Sequence, residues 1–182
     1  MGPKRIATLA VLVVAHDGAA SADSRSAALS VVSLFTIAKS ENKNQVQYGV
    51  RVDADCVPAA DNPIVAYWRM FEKGPARTEP LLSRELAAYG VESQVVVARN
   101  ADGGSIRLVL RAVPSRPILV ETSHAPGGAC RALATIPIAG APAYLFNVYA
   151  HLRWPFGLDY LLLQGWSKDG TRLLKEKLEG HG

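Results

Sequence analysis

Few residue types able to do chemistry occur in this chain, and those few are scattered. There are two cysteines, Cys56 and Cys130, and four histidines, His16, His124, His151 and His181. No Gly-x-Ser-x-Gly elbow, phosphate loop, His-Glu-x-x-His or Gly-x-Gly-x-x-Gly occurs, so no catalytic or nucleotide motif announces itself. A Ser-His-Asp set is defined by geometry and not by order. That keeps open a hydrolase or transferase using His151 or His124 as base. His16 falls in the leader described below and His181 in the tail. No metal-ligand spacing surrounds the other two, so the sequence predicts no metal and no cofactor.

Three polar groupings are candidates for a binding site. Lys39-Ser40-Glu41-Asn42-Lys43-Asn44 joins two apolar runs. Its asparagines suit a tight connection with side-chain-to-backbone hydrogen bonds, or else Lys39, Asn42 and Asn44 line the mouth of a ligand site. Segment 144–154, read with strict alternation, puts Tyr144, Phe146, Val148, Ala150, Leu152 and Trp154 on one face. The other face then carries Leu145, Asn147, Tyr149, His151 and Arg153. That row of amide, phenol, imidazole and guanidinium is a solvated sheet face, or a polar lining if the sheet closes into a cup. Arg69 is the third, a cation on an otherwise apolar run. It either reaches water at a strand edge or pairs with a carboxylate.

The elements that must position these groups are mostly strands. Val46, Tyr48, Val50 and Val52 alternate with Gln45, Gln47, Gly49 and Arg51, the period of a half-buried strand. Segment 64–71 is bulky on both faces, as expected of a strand in the middle of the fold. Runs 95–99 and 106–112 flank Asn100-Ala101-Asp102-Gly103-Gly104, a strong hairpin signal. Further strands are predicted at 118–123, 131–136, 144–154 and 160–166. Leu82, Leu86 and Tyr89 fall at helical spacing before Gly90, giving one short helix over 80–89 with Thr78 or Ser83 as its cap. The tail, 171–179, reads either as a terminal helix or as the return strand over Lys168-Asp169-Gly170. The fold class expected is mainly β (a β-rich α+β arrangement), an antiparallel sandwich or barrel of about eight strands. The length suits one domain, 31–182, after a flexible stretch at 23–30.

The first 22 residues have the order of an export leader: Lys4 and Arg5, an apolar run over 6–15, then small residues ending Ala20-Ser21-Ala22. The apolar run is about half of the roughly 20 residues a bilayer crossing requires. A periplasmic or secreted protein with no membrane span in its mature part is therefore expected. Loss of the leader lowers the basic count from 20 to 18 and the acidic count from 16 to 15, a net +3. These charges are dispersed, with no basic stripe of the kind a nucleic-acid partner requires. In an oxidising compartment an even cysteine count favours a Cys56–Cys130 disulfide. A loop of that length would stabilise by roughly 4 kcal/mol in the chain-entropy account.

The run from Leu34 to Tyr48, Leu-Phe-Thr-Ile-Ala-Lys-Ser-Glu-Asn-Lys-Asn-Gln-Val-Gln-Tyr, resembles the opening motif of a bacterial family, domain of unknown function 4833. Asn62-Pro63-Ile64-Val65-Ala66-Tyr67-Trp68 and Leu86-Ala87-Ala88-Tyr89-Gly90 resemble two further motifs of that family. Lys39 stands where the motif has an arginine, keeping the charge without the planar fork. The resemblance implies a shared fold and no particular reaction. It directs attention to Asn42, Asn44 and Tyr48 and to Tyr67 and Trp68. The function expected is a non-enzymatic module binding a small-molecule or lipid ligand. The alternatives are the histidine-dependent envelope enzyme and a structural or assembly protein of the envelope. Mass spectrometry of the exported protein should find Asp23 as its first residue; an N-terminus upstream of residue 15 would overturn the leader.

Overall fold

The computed structural model describes residues 28–39, 42–72, 74–153 and 157–179. The leader and its cleavage site lie outside them. Eleven strands and one helix follow in the order β1 (Ser30–Lys39), β2 (Gln45–Val52), β3 (Ile64–Met70), β4 (Arg77–Pro80), α1 (Ser83–Tyr89), β5 (Val91–Asn100), β6 (Gly103–Leu110), β7 (Val113–His124), β8 (Cys130–Ile138), β9 (Ala141–Arg153), β10 (Gly157–Ser167) and β11 (Leu173–Glu179). They form one mixed sheet that does not close, ordered β4-β3-β2-β1-β9-β8-β7-β6-β5, with β10 and β11 stacked on the other edge of β9. The architecture is sandwich-like rather than a barrel.

β9 makes this possible by having two neighbours on one edge. Residues 141–144 pair antiparallel with β8, and residues 147–150 pair in parallel with β1. The changeover coincides with a bulge. Gly165 of β10 opposes Leu145 and Gln164 opposes Asn147, which leaves Phe146 as the extra residue. Two arms, β1–β4 and β5–β8, thus spring from the same strand and meet across one core. Tyr48, Phe35, Ile37, Ile106, Leu108, Ile118, Ile136 and Leu163 fill the space between them, each nearly or fully buried. Burying side chains of this size contributes about 1.5–3 kcal/mol apiece.

The alternation in β2 appears as expected, with Val46, Tyr48, Val50 and Val52 fully buried. Gln47, on the opposite face, is also buried. A bulge in β1 between Ser33 and Thr36 exposes a carbonyl that Gln47 Nε2 satisfies, donating to Phe35 O at 3.1 Å and to Tyr48 O at 2.9 Å. The 100–104 hairpin also forms, antiparallel from Asn100↔Gly103 outward. Segment 64–71 is not central. β3 lies next to last in its arm, with only the four-residue β4 outside it. Ile64 and Trp68 face the core, while Val65, Tyr67 and Arg69 are half-buried on the outer face.

The helix begins at Ser83, and neither Thr78 nor Ser83 caps it. Instead the Glu85 carboxylate accepts the Leu82 N–H at 2.7 Å, and Gly90 N–H closes the far end on Leu86 O. The tail is a strand. β11 pairs with β10 from Trp166↔Leu173 to Tyr160↔Glu179. Its period-two burial turns Leu174 and Leu178 inward, and the inward Glu176 takes both guanidinium nitrogens of Arg116 on β7 at 2.6 Å. A helix would keep Leu174 and Leu178 on one face but turn Glu176 to the other.

Cys56 and Cys130 are bonded, 74 residues apart, tying the β2–β3 connection to the start of β8. The same connection presses Pro58 against β6. A Cβ at Gly104 would stand 2.7 Å from Pro58 Cδ and 2.6 Å from Ala98 O, so only glycine admits this approach. Replacing both cysteines with serine should lower unfolding free energy by about 2–5 kcal/mol, read from urea titrations of the oxidised parent and the double variant.

Candidate functional site: the mouth beside the helix

Beside the β1–β2 connection, where β1, β3, β4 and the start of α1 come together, a cavity of about 520 Å3 opens. It is lined by Lys39, Asn42, Asn44, Trp68, Met70, Glu79, Pro80, Leu82 and Glu85. Each comes there for a local reason. Lys39 ends β1, and Asn42 folds the connection back by accepting the Asn44 N–H on Oδ1 at 3.0 Å. Asn44, almost fully buried, accepts the Phe71 N–H on Oδ1 at 2.9 Å, fastening the connection to the end of β3. The alternation of β3 sends Trp68 and Met70 to this side. The Lys39 ammonium lies 5.3 Å from the Trp68 ring centroid, within cation–π range.

Beneath the cavity the aromatics are locked. Tyr48 stacks on Phe35 at 4.7 Å, and its hydroxyl donates to Tyr89 O at the end of α1. Trp68 meets Tyr89 edge-on at 5.8 Å. Burial, then the neighbouring Tyr89, pushes the Tyr48 phenol far above its ordinary value, so it stays a neutral donor. Glu85 moves the other way. Desolvation raises it, but the Leu82 N–H, the Trp68 indole N–H and the Arg84 and Lys39 charges together hold it below the usual carboxylate value. The mouth therefore presents one ammonium, two carboxylates, two amides and the flank of an indole.

Lys39, Asn42 and Asn44, the three residues of the mouth reading, line this cavity together with Trp68. Tyr48 supports them from below. Tyr67 and Arg69 do not line this cavity. They point to the other face of β3, where Tyr67 lines a groove beside β5 and the Arg69 guanidinium lies over Phe71 at 5.2 Å. Glu79, Glu85, Met70 and Leu82 were missed. None of them carried a sequence signal for a site: Glu85 follows Leu82 by three positions, but leucine is not the Ser or Thr that marks a capping box.

The Asn147, Tyr149 and His151 row does share a face, but an outer one. Asn147 accepts the Thr36 hydroxyl at 2.9 Å and donates to Gln164 at 2.8 Å. His151 stacks on Tyr160 at 4.8 Å. Its Nδ1 lies 3.3 Å from Asp159 Oδ2, close enough for an ion pair yet angled so that no hydrogen bond forms. Arg153 continues the strand, and its side chain is outside the described residues, as are Ser40, Glu41 and Trp154. Because of the Phe146 bulge, Leu145 turns inward with Val148 and Ala150, so the strict alternation read from the sequence breaks there. His124 lies apart from both the row and the mouth. It is half-buried, with Nδ1 3.3 Å from Cys56 Sγ.

Fold and cavity together define a disulfide-clipped, open β sandwich with a mouth of small-molecule size. No curated protein and no solved structure matches the chain. A family model matches residues 35–177, and the chain belongs to that family, domain of unknown function 4833. The three segments that carry the resemblance converge on this site: Lys39, Asn42, Asn44 and Tyr48 from the first, Trp68 from the second, Tyr89 from the third. Asn44→Ala would leave the Phe71 N–H without its acceptor, and should destabilise by about 1–3 kcal/mol in chemical denaturation; a change below about 0.5 kcal/mol would show that the fastening is idle.

Proposed function

We propose that this is an exported, non-enzymatic module that binds a small polar ligand at the mouth beside α1. The observation that carries the reading is the gathering of Lys39, Asn42, Asn44 and Trp68, from segments distant in sequence, around one cavity. Its chemistry suits a compact ligand with one apolar flank, to lie along the indole, and a rim of hydroxyl, amide or charged groups. Amino acids and amino sugars have that form. A lipid is disfavoured because the space between the arms is already filled by Tyr48, Phe35 and the aliphatic core. An extracytoplasmic address fits the disulfide. No helix among the described residues is long and apolar enough to cross a membrane.

The histidines give the enzymatic alternative nothing at this site, since neither His124 nor His151 lines the mouth. Thermal shift of the mature protein against panels of amino acids, amino sugars and small anions tests the proposal. A ligand present at 100 times its Kd should stabilise by about 2.7 kcal/mol. Lys39→Ala or Asn42→Ala should remove that gain, while His151→Ala should not. A gain that survives both mouth substitutions would overturn the site, and turnover abolished by His151→Ala would overturn the non-enzymatic reading.

A further inference from the structure

The second concentration of reactive side chains lies away from the mouth, at the disulfide. His124 and Cys130 are cross-strand partners in the β7–β8 hairpin. Cys56 arrives from the β2–β3 connection, held in a left-handed conformation at φ 61°. The turn that presents it is built on Asp53. Asp53 O accepts the Cys56 N–H at 3.1 Å, and its carboxylate accepts the Asp55 and Val57 N–H groups at 3.0 and 2.9 Å. One ligand atom from each of Cys56, His124 and Cys130 falls within 4.8 Å of the others, with Cys56 fully buried and the other two half-buried.

We propose that Cys56, Cys130 and His124 form a site for one thiophilic cation, Zn2+ or Cu+, whenever the disulfide is reduced. Two thiolates and an imidazole are the donor set such ions prefer. The three come from two rigid hairpin positions and one braced turn, so little need move to bring them together. His124 Nδ1 also lies 3.1 Å from Gly128 O, and a ring that binds metal through Nδ1 must give up that contact. Gly127 and Gly128 permit this. Both are left-handed, at φ 101° and 86°, and nothing stands within 4 Å of where a Cβ would be, so the carbonyl can swing aside.

The chemistry balances through a dithiol reductant. It gives two electrons and two protons to the Cys56–Cys130 bond and becomes a disulfide itself. The cation then displaces the two thiol protons and takes a lone pair from each sulfur and from the ring nitrogen. Sulfurs bonded to each other cannot supply those thiolates, so cation and disulfide exclude one another. The site is one that oxidation empties.

The test uses the mature protein, reduced with a dithiol, desalted without oxygen, and titrated separately with Zn2+ and with Cu+ against a chromophoric chelator. One equivalent of at least one of these ions should bind. His124→Ala should weaken it by more than the roughly 10–100-fold that loss of an outer-shell partner costs. The oxidised protein should not compete with the chelator. Circular dichroism is recorded alongside, because the reduced chain could unfold. If it does, the cation should restore the strand spectrum of the parent and not of His124→Ala. Binding of neither ion, equal binding by the His124 variant, equal binding by the oxidised protein, or an unfolded reduced chain that the cation does not refold would each overturn the proposal.

Discussion

Everything else in this fold depends on β9 offering one edge to two strands. A β strand has two edges, and β10 covers one of them along its whole length. The other must be shared end to end by β8 and β1, and a chain cannot pass smoothly from one neighbour to the next without changing register. Phe146 absorbs that change as the extra residue of a bulge. Because β1 runs parallel to β9 and β8 antiparallel, the arms leave in different directions and can fold over a common core. The bulge also adds one residue to the alternation, which is why Leu145 and Val148 both reach the interior.

The mouth belongs to the first arm and to the helix that leaves it. Helix α1 carries the chain from β4 at one extreme of the sheet to β5 at the other. Its last carbonyls receive Tyr48 from the core, and its first turn receives Glu85 as a cap. The wedge between the helix and the β1–β2 connection stays open because Asn44 fixes the connection to β3 rather than to the helix. The β2–β3 connection of one arm is clipped covalently to β8 of the other through Cys56 and Cys130, while the ion pair of Arg116 with Glu176 ties β7 to β11. Cys56, Cys130 and His124 are thus gathered at the other end of β2 from Lys39, Asn42 and Asn44.

What the residues determine on their own is local. The period-two runs, the Asn100–Gly104 hairpin, the short helix before Gly90 and the polar turn at Lys39–Asn44 can all be read from neighbours a few positions apart, because each rests on short-range sterics and hydrogen bonding. The pairing of the two cysteines followed from their even count and the expected oxidising compartment, and the family from the resemblance of three motifs. Tertiary structure alone decided what depends on pairing between distant strands: that Phe146 would be extra, that the Asn147 row would face outward, that β3 would lie near an edge, and that the tail would be a strand against β10. It also decided that His124 would stand opposite Cys130 and beside Cys56, a grouping with no recognisable spacing. Register joins residues by their place in a ladder and not along the chain, so no pattern of separations in the sequence records it.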